Sequence, residues 1–190
     1  IAMAAKAKGA SVELISGPVA LNPITDIRTT YVETSSEMYE AVKEKVSDFD
    51  IFISTAAIAD YKPANYSDTK YKKNENNITI EFTRGIDILE TISKKHKNLF
   101  TVGFAAETNS LKENTQQKLA KKNLDLIVGN IANHELKLGF ESDYNEVIIL
   151  SNTNSKKISH DKKSNIANKI LDFIAIEYSN KLQLVKNNVK

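Results

Sequence analysis

The 190 residues contain no cysteine. That absence excludes disulfides, thiolate catalysis and cysteine-ligated metal, and it fits a reducing compartment. An excess of one charge is also missing. The 26 Lys and Arg against 24 Asp and Glu leave a net charge of +2, which creates no overall field favouring nucleic acid or a membrane surface. Any anion site must therefore be local. No apolar run reaches the roughly 18 residues of a membrane span, and no signal-peptide pattern is present, so a cytoplasmic location is expected. Gly-x-Gly-x-x-Gly, Gly-x-x-x-x-Gly-Lys and Gly-x-Ser-x-Gly are all absent. His96, His134 and His160 lack metal spacing, and no protein-held metal site is expected.

What is present is a 41% hydrophobic share, enough in a chain of this length for one core and too little for two. Residues 1–180 read as a single domain and 181–190 as a polar, frayed tail. Ala2 to Lys8 reads as a helix already under way, closed by Gly9 in the left-handed conformation. With no N-cap ahead of that helix, at least one strand and its loop are expected upstream of Ile1.

Strands are expected at 10–15, 30–33, 50–54, 100–105 and 124–128. A β-hairpin is expected from 146–151 and 157–159. The segment 78–83 alternates strictly, and so should form an added antiparallel strand with one buried and one wet face. Between the strands, Thr34 with Glu37 and Ser110 with Glu113 form capping boxes for helices running to Asp48 and Asn123. Asp87 caps a helix carrying Ile88, Leu89 and Ile92, and 165–178 closes the chain as a helix. Strands alternating with helices indicate a doubly wound, Rossmann-like α/β fold, with a mostly parallel sheet and a small antiparallel addition.

In such sheets ligands bind beyond the carboxyl ends of the strands. Ser16-Gly17-Pro18, Thr55 to Asp60, Ala106-Glu107-Thr108 and Gly129-Asn130 all fall there. On the helix from Leu111, Lys118 and Lys122 each lie within about 20° of Leu111 at about 100° per residue, on the inward stripe, and Lys121 does not. Lysines seldom face a core without a partner, so their ammonium groups should emerge beside an anion. The competing explanation is that their stems cover apolar surface while the heads reach water. Lys70-Tyr71-Lys72-Lys73 is either a solvated charge run or a cation cluster near Asp60, which ends a strand ten residues earlier.

Several strings occur together in a fixed order: Ser16-Gly17-Pro18-Val19, Ala56-Ala57-Ile58-Ala59-Asp60-Tyr61, Lys70-x-Lys72-Lys73, Gly103 to Thr108, Lys118-x-x-x-Lys122 and Asn123 to Asn130. The ordered set resembles the phosphopantothenoylcysteine synthetase family, the bacterial phosphopantothenate–cysteine ligases, over most of residues 1–150. The resemblance implies condensation of 4′-phosphopantothenate with L-cysteine through an acyl-cytidylate, with CTP and Mg²⁺ as nucleotide and ion. It also implies a homodimer, in the full-length protein within a larger oligomer, with FMN confined to a separate decarboxylase domain. By resemblance Lys70 is the functional lysine of a loop closing over the reacting groups. Asp60, Phe104, Lys118 and Lys122 contact the nucleotide, Thr55-Ala56-Ala57 form the backbone bed beneath it, and Ile86, Asp87, Ile88 and Leu89 make another nucleotide-binding turn.

Two features depart from the family pattern. Gly85-Ile86-Asp87-Ile88 stands where Asn-Pro-Asp-Ile is usual, which leaves the turn less stiff without proline. By the resemblance, the family's Gly-rich loop, with an asparagine and an arginine of the acyl-cytidylate step, is expected ahead of Ile1, and the reaction is expected to need it. The strand at 78–82, with the lysine loop before it, is the expected subunit contact. Two other readings stay open on the residues alone: an NAD(P)-binding reductase-like domain, for which Glu33 is a weak ribose acid, and a non-catalytic nucleotide-binding module.

Overall fold

The computed structural model describes residues 1–65, 77–107, 109–131 and 142–188; Lys70, Lys72 and Lys73, with Thr108 and His134, lie outside them. In chain order the elements are α1 (Ala2–Ala7), β1 (Glu13–Ser16), β2 (Arg28–Tyr31), α2 (Ser35–Lys45), β3 (Ile51–Ser54), β4 (Tyr61–Pro63), β5 (Phe82–Arg84), α3 (Ile88–Lys95), β6 (Phe100–Glu107), α4 (Leu111–Lys121), β7 (Leu126–Ile131), β8 (Tyr144–Ser151), β9 (Ser155–Lys162) and α5 (Lys163–Asn188). A 3-10 turn, Val46–Asp48, follows α2.

The main sheet has the order β3-β6-β7-β8-β9. β3, β6 and β7 are parallel, and β8 and β9 extend the sheet as an antiparallel hairpin. β1 and β2 form a separate parallel pair, and β4 and β5 a separate antiparallel one. The two-residue period of the strands splits their side chains between two cores. Phe100, Val102, Leu126, Val128 and Ile149 pack against Ile166, Ile170 and Ile174 of α5. On the other face Ala105, Ile127 and Leu150 meet Leu89, Leu119 and Leu124 at α3 and α4. A third cluster, Val42, Val46, Ile88, Ile92 and Leu99, seals α2 against α3. Helices thus cover both faces of the parallel strands, the doubly wound α/β arrangement expected. No helix among the described residues is long and apolar enough to cross a membrane.

The caps explain where the helices stop and start. Gly9, at φ 87°, ends α1, with its N–H bonded to the Lys6 carbonyl and the Ala10 N–H to that of Ala5, the pair of bonds that defines a Schellman end. Asn123, at φ 52°, ends α4 the same way through the Ala120 and Leu119 carbonyls. That turn delays β7 to Leu126, two residues beyond the expected start. Thr34 Oγ1 accepts from the Glu37 N–H, and Glu37 accepts from the Glu33 N–H. Asp87 caps α3 by accepting from the Glu90 N–H.

Three local expectations are corrected. Ser110 makes no side-chain cap, because it sits at φ 44°, ψ 44° rather than in the extended conformation a capping hydroxyl needs. The start of α4 is tied instead by Asn114 Nδ2, which donates to Glu107 Oε2 and the Asn109 carbonyl. The stretch 78–83 has no buried face: Ile78, Ile80 and Phe82 are each more than half exposed, and only Phe82–Arg84 pairs as a strand. Finally, α5 runs on through 181–188. Lys181 anchors it, pairing with Asp125 at 2.7 Å and donating to the Leu99 carbonyl.

Candidate active site

β3, β6 and β7 end at one edge of the sheet. An antiparallel strand brings its first residues to that edge and the next one its last, so β8 contributes Asn145, and Lys163, the first residue of α5, follows directly from the end of β9. A cleft of about 630 Å³ runs along this edge. Its walls come from Ser54 to Asp60 after β3, Arg84 to Leu89 between β5 and α3, Phe104 to Ala106 of β6, Lys118 and Lys122 of α4, Asn130, Asn145 and Lys163. Thr55, Ala56, Ala57, Asp60, Ile86, Asp87, Ile88, Leu89, Phe104, Lys118 and Lys122 are therefore brought together; Lys70 lies outside the described residues. Ser16 to Pro18 is not part of the lining.

Close helix-to-strand approach places the two lysines. A Cβ on Gly129 would fall 2.3 Å from Thr115 Oγ1, and one on Gly103 would fall 2.8 Å from side-chain atoms of Leu89 and Leu124. Only glycine at these two positions lets α4 and α3 lie this close to β7 and β6. Ser93 of α3, itself buried, donates to the Lys122 carbonyl and clamps the end of α4 to α3. The loop after β3 is held to the turn ahead of α3 by the Gly85 N–H, which donates to the Asp60 carbonyl at 2.8 Å.

Both inward lysines emerge beside an anion, and in this structure the anions are the chain's own carboxylates. Lys118 Nζ lies 2.6 Å from Glu107 Oε1, and Lys122 Nζ lies 2.8 Å from Asp87 Oδ2. Lys118 is exposed, as Lys121 is, and Lys122 is half-buried. Burial by itself would raise the Asp87 carboxyl. The Lys122 ammonium, the Glu90 N–H and the nearby Arg84 outweigh it and hold Asp87 below the usual carboxylate range. Asp87 thus does two jobs: it caps α3 and it steadies Lys122 over the cleft.

Arg84, Asn145 and Lys163 were not among the expected site residues. The signal for Lys163 was available: extending the second arm of the hairpin past Ser159 would have carried the chain to the same edge. Among the described residues no group of three or more His, Cys, Asp or Glu could hold a metal.

A family model described as the DNA/pantothenate metabolism flavoprotein C-terminal domain matches residues 1–178. A Vibrio vulnificus protein named Coenzyme A biosynthesis bifunctional protein CoaBC is 39% identical over 174 residues, covering 90% of this chain and 43% of its own length. The chain thus spans less than half of that relative. The crystal structure of the C-terminal domain of a CoaBC protein superimposes with a TM-score of 0.76 at 32% identity, over 95% of this chain and 80% of the other. A Cab2 mutant in complex with phosphopantothenate-cysteine shares the fold at a TM-score of 0.65 and 15% identity, over 84% of this chain and 55% of its own.

Proposed function

The chain belongs to the DNA/pantothenate metabolism flavoprotein C-terminal domain family, and from that premise we propose that it carries the phosphopantothenate–cysteine ligase step of coenzyme A biosynthesis. A carboxylate oxygen of 4′-phosphopantothenate attacks the α-phosphorus of CTP, pyrophosphate leaves, and an acyl-cytidylate forms. The amine of L-cysteine then attacks the acyl carbon, the bond to CMP breaks, and the amine gives up a proton. The activation is needed because a carboxylate is a poor acyl donor until its oxygen becomes a phosphoryl leaving group.

The observation that supports this reading best is the convergence of Thr55 to Asp60, Ile86 to Leu89, Phe104, Lys118 and Lys122 on one cleft at the carboxyl ends of parallel strands. The small residues Ala56, Ala57 and Ala59 leave the backbone open to close approach. A triphosphate competes with Glu107 and Asp87 for the two ammonium groups, which those carboxylates hold over the cleft beforehand. Mg²⁺ carried on the triphosphate would offset charge there, with Asp60 and Asp87 the carboxylates on the rim. Lys70 is proposed to close over the reacting groups from its loop.

We also propose a homodimer. Tyr61, Ile78, Ile80 and Phe82 are exposed apolar side chains on or beside the β4–β5 pair, the surface expected to meet a second copy. The experiment that tests the reaction is pyrophosphate release by the full-length protein with 4′-phosphopantothenate and CTP, cysteine omitted. Release is expected, with an acyl-nucleotide accumulating. Release that requires cysteine contradicts the order of steps, and no release with CTP or ATP, with or without cysteine, contradicts the function.

A further inference from the structure

The charges along the cleft are not evenly matched. Among the described residues four cations line it, and three of them already stand beside a carboxylate: Lys118 on Glu107, Lys122 on Asp87, and Arg84 near Asp87 as well. Lys163, at the β8–β9 end, differs. Lys157 and Lys169 around it pair with Glu146 and Asp161, whereas no carboxylate among the described residues lies within ion-pair distance of the Lys163 ammonium group. Asn145 lines the same end, and its Oδ1 accepts from the Glu146 N–H at 2.9 Å. With the oxygen taken, the two N–H donors of Nδ2 are what this amide has left to offer a ligand.

The backbone around the pair is held from several directions. The hairpin carries a bulge, because a step of two residues on β8, Asn145 to Val147, faces a step of three on β9, Asp161 to Ile158, and a bulge re-aims the end of a strand. The Tyr144 and His160 rings stack beside it with centroids 5.1 Å apart. The Lys163 N–H donates to the Asp143 carbonyl at 2.8 Å, and Asp161 accepts from Asn165 and Lys169 of α5. A fixed hairpin end thus presents an ammonium group and an amide as donors, with no acceptor among the described residues.

We infer that Lys163 and Asn145 seat the α-carboxylate of the amino-acid substrate, an inference that rests on the ligase reading above. The charge fits, since a carboxylate brings one negative charge and two acceptor oxygens to one cation and one amide. A phosphate brings nearly two charges and a triphosphate more, which suits the cluster of Arg84, Lys118 and Lys122 better than a lone lysine. The spacing fits too. Glu107, beneath Lys118, ends β6, and β7 and β8 follow at about 4.8 Å each, which puts Asn145 about 10 Å away. Five bonds lead from the α-phosphorus through the acyl carbon and the attacking amine to the carboxylate carbon, roughly 6–7 Å, and the side chains span the remainder. Holding the carboxylate there directs the amine back towards the acyl carbon and favours cysteine over an aminothiol that lacks the carboxylate.

The test compares L-cysteine with cysteamine, the same aminothiol without its carboxylate, as substrates of the full-length protein. For the unsubstituted protein kcat/KM should be about 10- to 100-fold higher with cysteine. Lys163→Gln should raise KM for cysteine by a similar factor and bring the two amines close together, while KM for CTP and for 4′-phosphopantothenate stays within about 3-fold. Lys163→Arg, which keeps the charge, should restore most of the preference. Equal kcat/KM for the two amines in the unsubstituted protein overturns the inference without any variant. A preference that survives Lys163→Gln overturns it, and so does a KM for CTP or 4′-phosphopantothenate that rises as far as that for cysteine, which would assign Lys163 to a phosphate. Pyrophosphate release separates the two failures: release without the preference removes only the carboxylate seat, and no release, with or without cysteine, removes the ligase reading and the seat together.

Discussion

β3 and β6 lie side by side in one sheet, yet they are packed very differently. Val102 of β6, with Leu126 and Val128 of β7, has no measurable exposure, whereas Ile51, Phe52 and Ile53 of β3 and the whole of β1 are only half-buried. β3, Ile-Phe-Ile-Ser, is no less apolar than β6; the neighbours differ. β6 has a strand on each side and helices over both faces, and β3 has a strand on one side and a cleft on the other. Apolar content alone therefore does not bury a strand, and the candidate cleft stands at the junction, with one wall on the tight half and one on the loose half.

The sharpest way to break this contrast is a matched pair of truncations in residues 1–190. Leu126→Ala should cost about 2–5 kcal/mol, because a fully buried leucine leaves a cavity. Ile53→Ala should cost less than about 1.5 kcal/mol, because its side chain already borders open space. Equal losses in urea unfolding would mean that the two halves are packed alike. Next in size is Gly129→Ala, expected to cost about 1–3 kcal/mol by forcing α4 off β7. The same displacement would move Lys118 and Lys122, so nucleotide affinity should fall along with stability.

Asp87→Ala should cost about 1 kcal/mol through loss of the α3 cap, and Asp87→Asn, which keeps a capping oxygen, should cost less. Acid titration separates the two roles of this carboxylate. Its folded pKa is depressed, so its stabilisation is fully present above the unfolded value near 3.9 and is lost as pH falls through the folded value. Asp161, lowered to about 2 by Lys169, Asn165 and the Lys162 N–H, follows the same sign. Thermal melts from pH 6 to pH 2 should therefore converge for the parent and Asp87→Asn at the acid end; a constant gap contradicts the Lys122 pairing. The smallest effect is at the far end of α5, where Lys181→Ala should cost under about 1 kcal/mol and loosen only the last turns.

Where one residue's chemistry decides a local conformation, the sequence was readable. Thr34 and Asp87 cap their helices, Gly9 ends α1, and the inward stripe of α4 delivers Lys118 and Lys122 to the rim. Where tertiary contacts decide, it was not. Ser110 looks like a cap but is turned left-handed, with the start of α4 tied by Asn114 to the end of β6. Residues 181–188 read as a frayed polar tail because nothing local reveals that Lys181 will meet Asp125. The alternation of Ile78, Ile80 and Phe82 implied a buried face, but period alone cannot say whether the burying surface belongs to the same chain. Arg84, Asn145 and Lys163 reach the cleft through strand order and direction, which appear only once the sheet is assembled.

The most direct test of the account is CTP binding by calorimetry to the full-length protein carrying Lys118→Ala, Lys122→Ala or both. Each charge-assisted contact is worth about 1.5–3 kcal/mol, so each single variant should weaken binding about 10- to 100-fold, and the double variant further, while folding is retained. CTP affinity unchanged in the double variant would contradict the claim that this rim holds the triphosphate.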